Sequence, residues 1–390
     1  MYMKKYISIV FLLLSITVYA QPLRDINYVY LYNPDEAFTF NLKSVRGEGS
    51  FTILYALQVK DTSGFMNDYS IQWEGRALLN DKAGTDLSFN NNVSARNKSG
   101  LEGRAIIPIQ DAPKYIVARV IKNSDKRAWL FYTALESNHP VNNFLTRNES
   151  LVLDPFIHTN EKVKLAIDSS EWMVSYYDDN FPPAAPAFSE GQARVSRGMQ
   201  IDSAFHVLGG DEINFSKKGL YLVQKDTNSL EGLALRVEED YPQYAKLLNL
   251  AGPLIYICTK HEYDRLELAK GNKKAFDRVI LSMVTDTGRA RSLMRSYFRR
   301  VELANQYFTS YKEGWKTDRG MIYIIFGLPN EVFKFNDREV WNYKNDQFTK
   351  RFNFSKSSSL FDPDNYILIR DEKFKDAWYE VIDLWRNARF

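Results

Sequence analysis

A chain of 390 residues is long for a single domain, and roughly two or three are expected. Its 45% hydrophobic and 25% charged content is globular in character, and a formal charge of +3 gives no support to general nucleic-acid binding. The single cysteine, Cys258, excludes an intrachain disulfide, so stability must come from hydrophobic cores, for which an aromatic content of 14% supplies material.

The first 20 residues read as a secretory signal peptide. Lys4 and Lys5 form a positive start, residues 6–14 are apolar except for Ser8, and Val18-Tyr19-Ala20 offers small residues for cleavage before Gln21. The apolar run falls short of the ~20 residues that span a bilayer, and no cysteine lies near the cleavage point. The expectation is an exported protein that is neither a lipoprotein nor an integral membrane protein.

Residues 21–146 read as strands of a first β domain. Stretches 37–42, 50–55 and 116–121 alternate apolar and polar residues, which buries one face of a sheet and wets the other. Asn90-Asn91-Asn92 and Asn97-Lys98-Ser99-Gly100 suit tight turns between them. Short strands with regular turns predict an antiparallel sandwich, immunoglobulin-like only by analogy because the Cys–Trp–Cys core is missing. Residues 147–237 read as a second β unit, with strands at 162–167, 172–177, 219–223 and 232–237 and a proline-rich stretch at 181–186 that cannot join a ladder. One larger sandwich spanning both units is the alternative.

Past Glu238 the pattern becomes helical, at 241–250, 262–269 and 273–283, and most clearly at 289–311. There Leu293, Tyr297, Val301, Ala304, Phe308 and Tyr311 form one apolar stripe. Gly314 suits a helix C-cap, and five arginines crowd the first half of this helix. The wholly apolar 321–326 reads as a strand covered on both faces, followed by a hairpin at 331–343, a strand at 366–369 and an amphipathic helix at 377–389. Residues 238–390 therefore read as an α+β domain. Overall the fold class is multidomain: an all-β N-terminal part of one or two antiparallel sandwiches, followed by α+β.

The run Gly314-Trp315-Lys316-Thr317-Asp318-Arg319-Gly320-Met321-Ile322-Tyr323-Ile324 resembles the signature of the GWxTD-domain family. The likeness continues through Gly327-Leu328-Pro329-Asn330-Glu331-Val332, the upstream stretch 300–308 and the downstream Val340-Trp341-Asn342-Tyr343. It covers roughly 240–390. The resemblance implies an exported envelope protein of Bacteroidota-type Gram-negative bacteria and implies no established reaction, so no catalytic residue is carried over. The chain departs from many relatives in lacking a Phe-Trp-x-x-Arg-Asp-Pro string at 276–286.

Physically, the motif admits two readings. In one, Trp315 plugs a joint between helix and sheet, Thr317 or Asp318 caps backbone N–H groups, and Arg319 pairs with Asp318 or Glu331. In the other, Trp315, Asp318, Arg319, Glu331 and Trp341 line a groove for a glycan or an extended peptide. Gly314, Trp315, Thr317, Asp318, Arg319, Gly320, Glu331 and Trp341 are thus the candidate residues.

Familiar catalytic signatures are missing from the sequence. His261-Glu262 begins like a zinc-protease helix, but position 265 is Arg; no G-x-S-x-G, P-loop or G-x-G-x-x-G occurs. Asp362-Pro363-Asp364-Asn365 is oxygen-rich but lacks the rest of a calcium loop. No cofactor is expected. The sequence reading is a non-catalytic subunit or docking module of a cell-envelope complex with protein partners. The alternatives are a glycan- or peptidoglycan-binding module and a hydrolase of unrecognised type.

Overall fold

The computed structural model describes residues 21–389 apart from 61–67, 90–91, 97–98, 167, 179, 191–198, 285 and 345–348. The expected signal peptide (residues 1–20), the residues Asn90, Asn91, Asn97 and Lys98 expected in turns, and Ile167 lie outside the described residues.

The first unit contains β1 (Phe38–Arg46), β2 (Ser50–Val59), β3 (Tyr69–Arg76), β4 (Thr85–Asp86), β5 (Asn92–Arg96), β6 (Gly100–Pro108), β7 (Tyr115–Lys122) and β8 (Ala128–Ala134). They pair as two antiparallel sheets, β1-β2-β6-β5 and β4-β3-β7-β8. Every second residue of each sheet enters one shared core, with Phe38, Phe40, Ile53, Tyr55 and Leu57 facing Trp73, Ile116, Ala118, Trp129 and Phe131. This is the two-sheet sandwich that the alternating pattern requires.

The second unit contains β9 (Leu145–Arg147), β10 (Ser150–Val152), β11 (Phe156–His158), β12 (Lys162–Leu165), β13 (Glu171–Tyr177), β14 (Ser203–Leu208), β15 (Glu212–Asn214), β16 (Gly219–Gln224) and β17 (Leu233–Glu238). Its sheets run β10-β9-β12-β15 and β11-β17-β16-β13-β14 around a separate core that includes Trp172, Val174, Phe215, Tyr221 and Val237. The expected antiparallel pairing has one exception: β11 runs parallel to β17.

The third part holds α1 (Leu247–Leu250), α2 (Lys260–Leu268), α3 (Lys273–Val284), α4 (Thr287–Phe308), α5 (Asp318–Phe326), the antiparallel sheet β18 (Glu331–Lys334), β19 (Arg338–Lys344), β20 (Thr349–Lys356), β21 (Tyr366–Leu368), and α6 (Lys375–Arg386). Three expectations are corrected here. First, 321–326 is not a strand but most of helix α5. Thr317 caps it by accepting the Gly320 N–H, and its core positions Met321, Ile322, Ile324 and Ile325 are all fully buried. A helix packed on all sides is apolar all round, and periodicity cannot separate it from a doubly covered strand. Second, α4 ends at Phe308, so Gly314 is not its C-cap. Third, the helix expected over 241–250 shrinks to α1. The Asp240 carboxylate accepts the Ala245 and Lys246 N–H groups, and Asn305 Nδ2 donates to the Pro242 carbonyl, which commits that backbone to a loop.

The apolar stripe of α4 is where the sequence places it: Leu293, Tyr297, Val301, Ala304 and Phe308 are buried. Its arginines divide. Arg289, Arg291 and Arg295 are exposed, whereas Arg300 donates to the carbonyls of Ile324 and Ile325 at the end of α5 and lies over the Trp385 ring. A cation at a helix C-terminus is favourable there. Cys258 is half-buried with its sulfur 3.8 Å from Met283 Sδ, and burial pushes its thiol up to about 12. Among the described residues no helix is long and apolar enough to cross a membrane.

One connection was not foreseen. The segment 22–32, just past the expected signal peptide, lies on the C-terminal sheet. Tyr28 N–H donates to Val332 O at 2.8 Å, and Val332 N–H donates to Asn27 Oδ1 at 2.9 Å. Tyr32 sits against Phe308 and Trp341, with ring centroids 4.9 and 5.4 Å away. The two ends of the chain therefore share one core.

Candidate functional site

The motif begins where two backbones touch. A Cβ at Gly314 would stand 2.1 Å from the Ala304 carbonyl oxygen, and one at Gly320 would stand 1.9 Å from that of Gly314. Only glycine allows α4, the connecting turn and α5 to close at this distance. Between these two contacts the polar groups of Trp315 and Thr317 are engaged. Trp315 N–H donates to Asn305 Oδ1 at 3.0 Å, its indole Nε1 donates to Tyr244 Oη at 3.0 Å, and Tyr256 Oη donates to its carbonyl at 2.9 Å. Thr317 Oγ1 donates to the Gly314 carbonyl at 2.7 Å while accepting from Gly320 N–H.

Asp318 ties α5 to the sheet. Its Oδ2 accepts the Leu368 N–H at 2.7 Å, and Oδ1 accepts from Arg370 Nη2 at 2.5 Å, with both side chains nearly water-free. Arg319 lies between the rings of Phe308 and Tyr366 and donates to Glu339 Oε2 at 3.4 Å. Fully buried Glu339 also accepts from Trp341 Nε1 at 2.6 Å and Tyr32 Oη at 2.8 Å. The expected partners of Arg319 are thus corrected: Asp318 is taken by Arg370, and Glu331 lies apart on β18, paired with Lys344 and Asn342.

The structure brings together Gly314, Trp315, Thr317, Asp318, Arg319, Gly320 and Trp341, leaving Glu331 at the periphery. Trp341 is 0% exposed and Trp315 is 5% exposed, so neither presents an aromatic face to a ligand. Trp315 is buried at a joint between α4 and α5 rather than between helix and sheet, Thr317 caps a backbone N–H, and Arg319 pairs with neither Asp318 nor Glu331.

Sequence reading missed Asn305, Arg370, Glu339 and a charged cluster behind the motif. In that cluster Arg236 pairs with Glu238 and lies 3.7 Å from Glu313, while Lys316 Nζ donates to Glu313 Oε1 at 3.0 Å and to Asn180 Oδ1 at 2.8 Å. Burial pushes the Glu313 carboxyl up, but Arg236 and Lys316 prevail and hold it below the ordinary range. A signal for Glu339 was present: β19 alternates, and Glu339 shares its inward face with Trp341 and Tyr343.

Beside the motif lies a cavity of about 350 Å³ at the meeting of all three parts. β1 supplies Lys43, the segment after β8 supplies His139 and Asn143, and the motif side supplies Arg319, Asp362 and Asp364. Burial, then neighbouring Asp364, pushes the Asp362 carboxyl up to about 6. Lys356 donates to Asp364 at 2.6 Å. Among the described residues no group of three or more His, Cys, Asp or Glu side chains is placed to hold a metal ion. His261-Glu262 belongs to a helix cap: Glu262 completes a capping box with Thr259 and pairs with Arg386 at 2.7 Å.

A second opening, a groove of about 360 Å³, runs between edge strand β14 and β15. It is lined by Phe205, Val207, Leu208 and Ile213 with Glu171, Asp211 and Glu212.

A family model, that of the GWxTD domain, matches residues 219–387. Residues 219–387 of this chain carry a GWxTD domain. The GWxTD match starts at β16 and so includes β17, whose Arg236 and Glu238 reach the motif through Glu313. No curated protein matches the chain. Similar solved structures include the crystal structure of DIP-gamma IG1+IG2, at 9% identity, covering 53% of this chain and 99% of that one with a TM-score of 0.17. Another is the crystal structure of Dpr11 IG1 bound to DIP-gamma IG+IG2, at 10% identity, covering 48% and 91% with a TM-score of 0.15. At such scores the fold assignment rests on the strand pairings alone.

Proposed function

We propose that this protein is an exported, non-catalytic docking subunit of a cell-envelope assembly, and that β14 of the second sandwich receives its partner. The observation that carries the reading is the state of that strand. It closes one end of a five-stranded sheet, pairs only with β13 among the described residues, and is exposed along nearly its whole length. Phe205 is 39% exposed and Leu208 is 50% exposed. Soluble proteins normally guard such an edge with charge, proline or a covering element, because its free N–H and C=O groups accept another strand.

The groove beside it selects the partner's character. Glu171 and Asp211 make no ion pair among the described residues, and they stand beside apolar Phe205, Val207 and Ile213. An extended segment that alternates apolar and basic residues would add a strand to β14 and place its cations against these carboxylates. By contrast, the signature motif has no free group to offer, because its side chains are consumed in joining helices and sheet. Export is supported by the signal-peptide pattern before Gln21.

The test is site-specific photocrosslinking in whole cells, with the probe at His206 and, as a control, on the exposed helix position Arg291. The expected result is one discrete adduct from His206, recovered with the envelope fraction, absent from Arg291 and lost when Leu208→Glu is introduced. An adduct that survives Leu208→Glu, or none from His206 in folded exported protein, overturns the docking surface.

A further inference from the structure

The cavity at the three-way junction contains polar groups that the fold leaves unused. Asn143 is 0% exposed; its Oδ1 accepts the Phe144 N–H at 2.8 Å, but its Nδ2 has no partner. His139 Nδ1 is likewise buried and unpaired. Lys43, an exposed residue of the lining, makes no hydrogen bond or ion pair among the described residues, and the carboxylates of Asp154, Asp362 and Asp364 lie near enough to act on its charge. A buried donor left unsatisfied is costly, and native structures rarely keep one without a ligand or water to meet it.

We propose that this cavity binds an uncharged, hydroxyl-rich ligand of one or two sugar rings. Its volume of about 350 Å³ lies at the lower end of the range for small-molecule sites. The donors Asn143 Nδ2 and Lys43 Nζ call for acceptor oxygens. The acids around Lys43 call for donors and repel an anion, which disfavours a phosphate or a sugar acid. Hydroxyl groups meet both demands because each donates and accepts. Partly exposed Leu42, Val152, Leu233, Leu360 and Phe361 also line the cavity and give the C–H face of a sugar ring a surface to rest on. The three remaining cations of the lining are already engaged, Lys356 with Asp364, Arg319 with Glu339 and Arg46 with Glu231. The site does not depend on the docking role of β14, which lies outside the cavity lining.

The experiment is calorimetric titration of the mature full chain with glucose, N-acetylglucosamine and its β-1,4 disaccharide, and with glucuronate and inorganic phosphate as charged arms. The expected result is saturable binding of at least one neutral sugar and none of the charged arms. Lys43→Met and Asn143→Ala should each weaken that binding about tenfold, the scale of one lost hydrogen bond. Lys43→Met is the safer variant, since Asn143 also holds the Phe144 amide; unchanged thermal unfolding confirms that each variant folds. Leu208→Glu should bind sugar like the parent, so failure here and failure at β14 are distinguishable. The proposal is overturned if no neutral sugar binds at about 10 mM, a concentration that detects even millimolar affinity. It is also overturned if Lys43→Met binds undiminished, or if a charged arm is preferred.

Discussion

The motif joint and the β14 edge treat their hydrogen-bonding groups in opposite ways. At the joint, Trp315, Thr317, Asp318 and Arg319 each have named partners, and two glycines let the backbones touch. At β14 the outer strand edge has no partner among the described residues, and apolar side chains face water beside carboxylates that make no ion pair among those residues. The conspicuous sequence string therefore joins elements of the domain, while the unremarkable stretch Ser203–Leu208 holds the surface proposed for docking. A signature can mark a demanding fold junction as readily as a site of action.

Four measurements can break or sharpen that contrast. The largest effect is expected for Gly314→Ala, whose methyl group has to displace the Ala304 carbonyl. A backbone obstruction cannot relax as a side chain does, so chemical denaturation should show a loss of at least about 4 kcal/mol or failure to fold. Next is Asp318→Ala, which strands Arg370 in a water-free place and should cost about 3–5 kcal/mol. Adding Arg370→Leu should recover part of this, and no recovery would mean that the bond to the Leu368 amide carries the effect.

A smaller effect concerns acid. The Arg386 guanidinium holds the Glu262 carboxyl down at about 2, below the ordinary value of about 4.3. Because the folded value is depressed, this stabilisation is fully present above about pH 4.3 and is lost as pH falls toward 2. Glu262→Gln should flatten that part of the stability–pH curve, and an unchanged acid limb would assign it to other carboxylates. The smallest stability effect is expected at the edge: Phe205→Lys should alter unfolding by within about 0.5 kcal/mol, as surface changes do, while abolishing the crosslink from His206. A large stability loss there would show that β14 belongs to the core rather than to an interface.

Much of the architecture was legible along the chain. The period-two stretches 37–42, 50–55 and 116–121 fall on β1, β2 and β7, although Leu54 and Val117, on faces expected to be wet, are fully buried, and the stripe on α4 announced its buried face. Trp315 and Thr317 read as a plug and a cap in the sequence, whereas Gly314 reads there as a helix C-cap, and its close approach to the Ala304 carbonyl is not legible. α5 was misread because uniform burial erases periodicity: the run Met321–Phe326 carries no polar face to count.

What the chain order withheld are the meetings of distant residues. Tyr32 on Trp341, Asp318 with Arg370, Arg236 near Glu313, and the cavity shared by Lys43, Asn143 and Asp362 each join segments far apart in sequence. Local propensity and patterning act over a few residues and are written into the string. A pairing across dozens or hundreds of residues depends on which faces pack together, and that is a property of the folded whole.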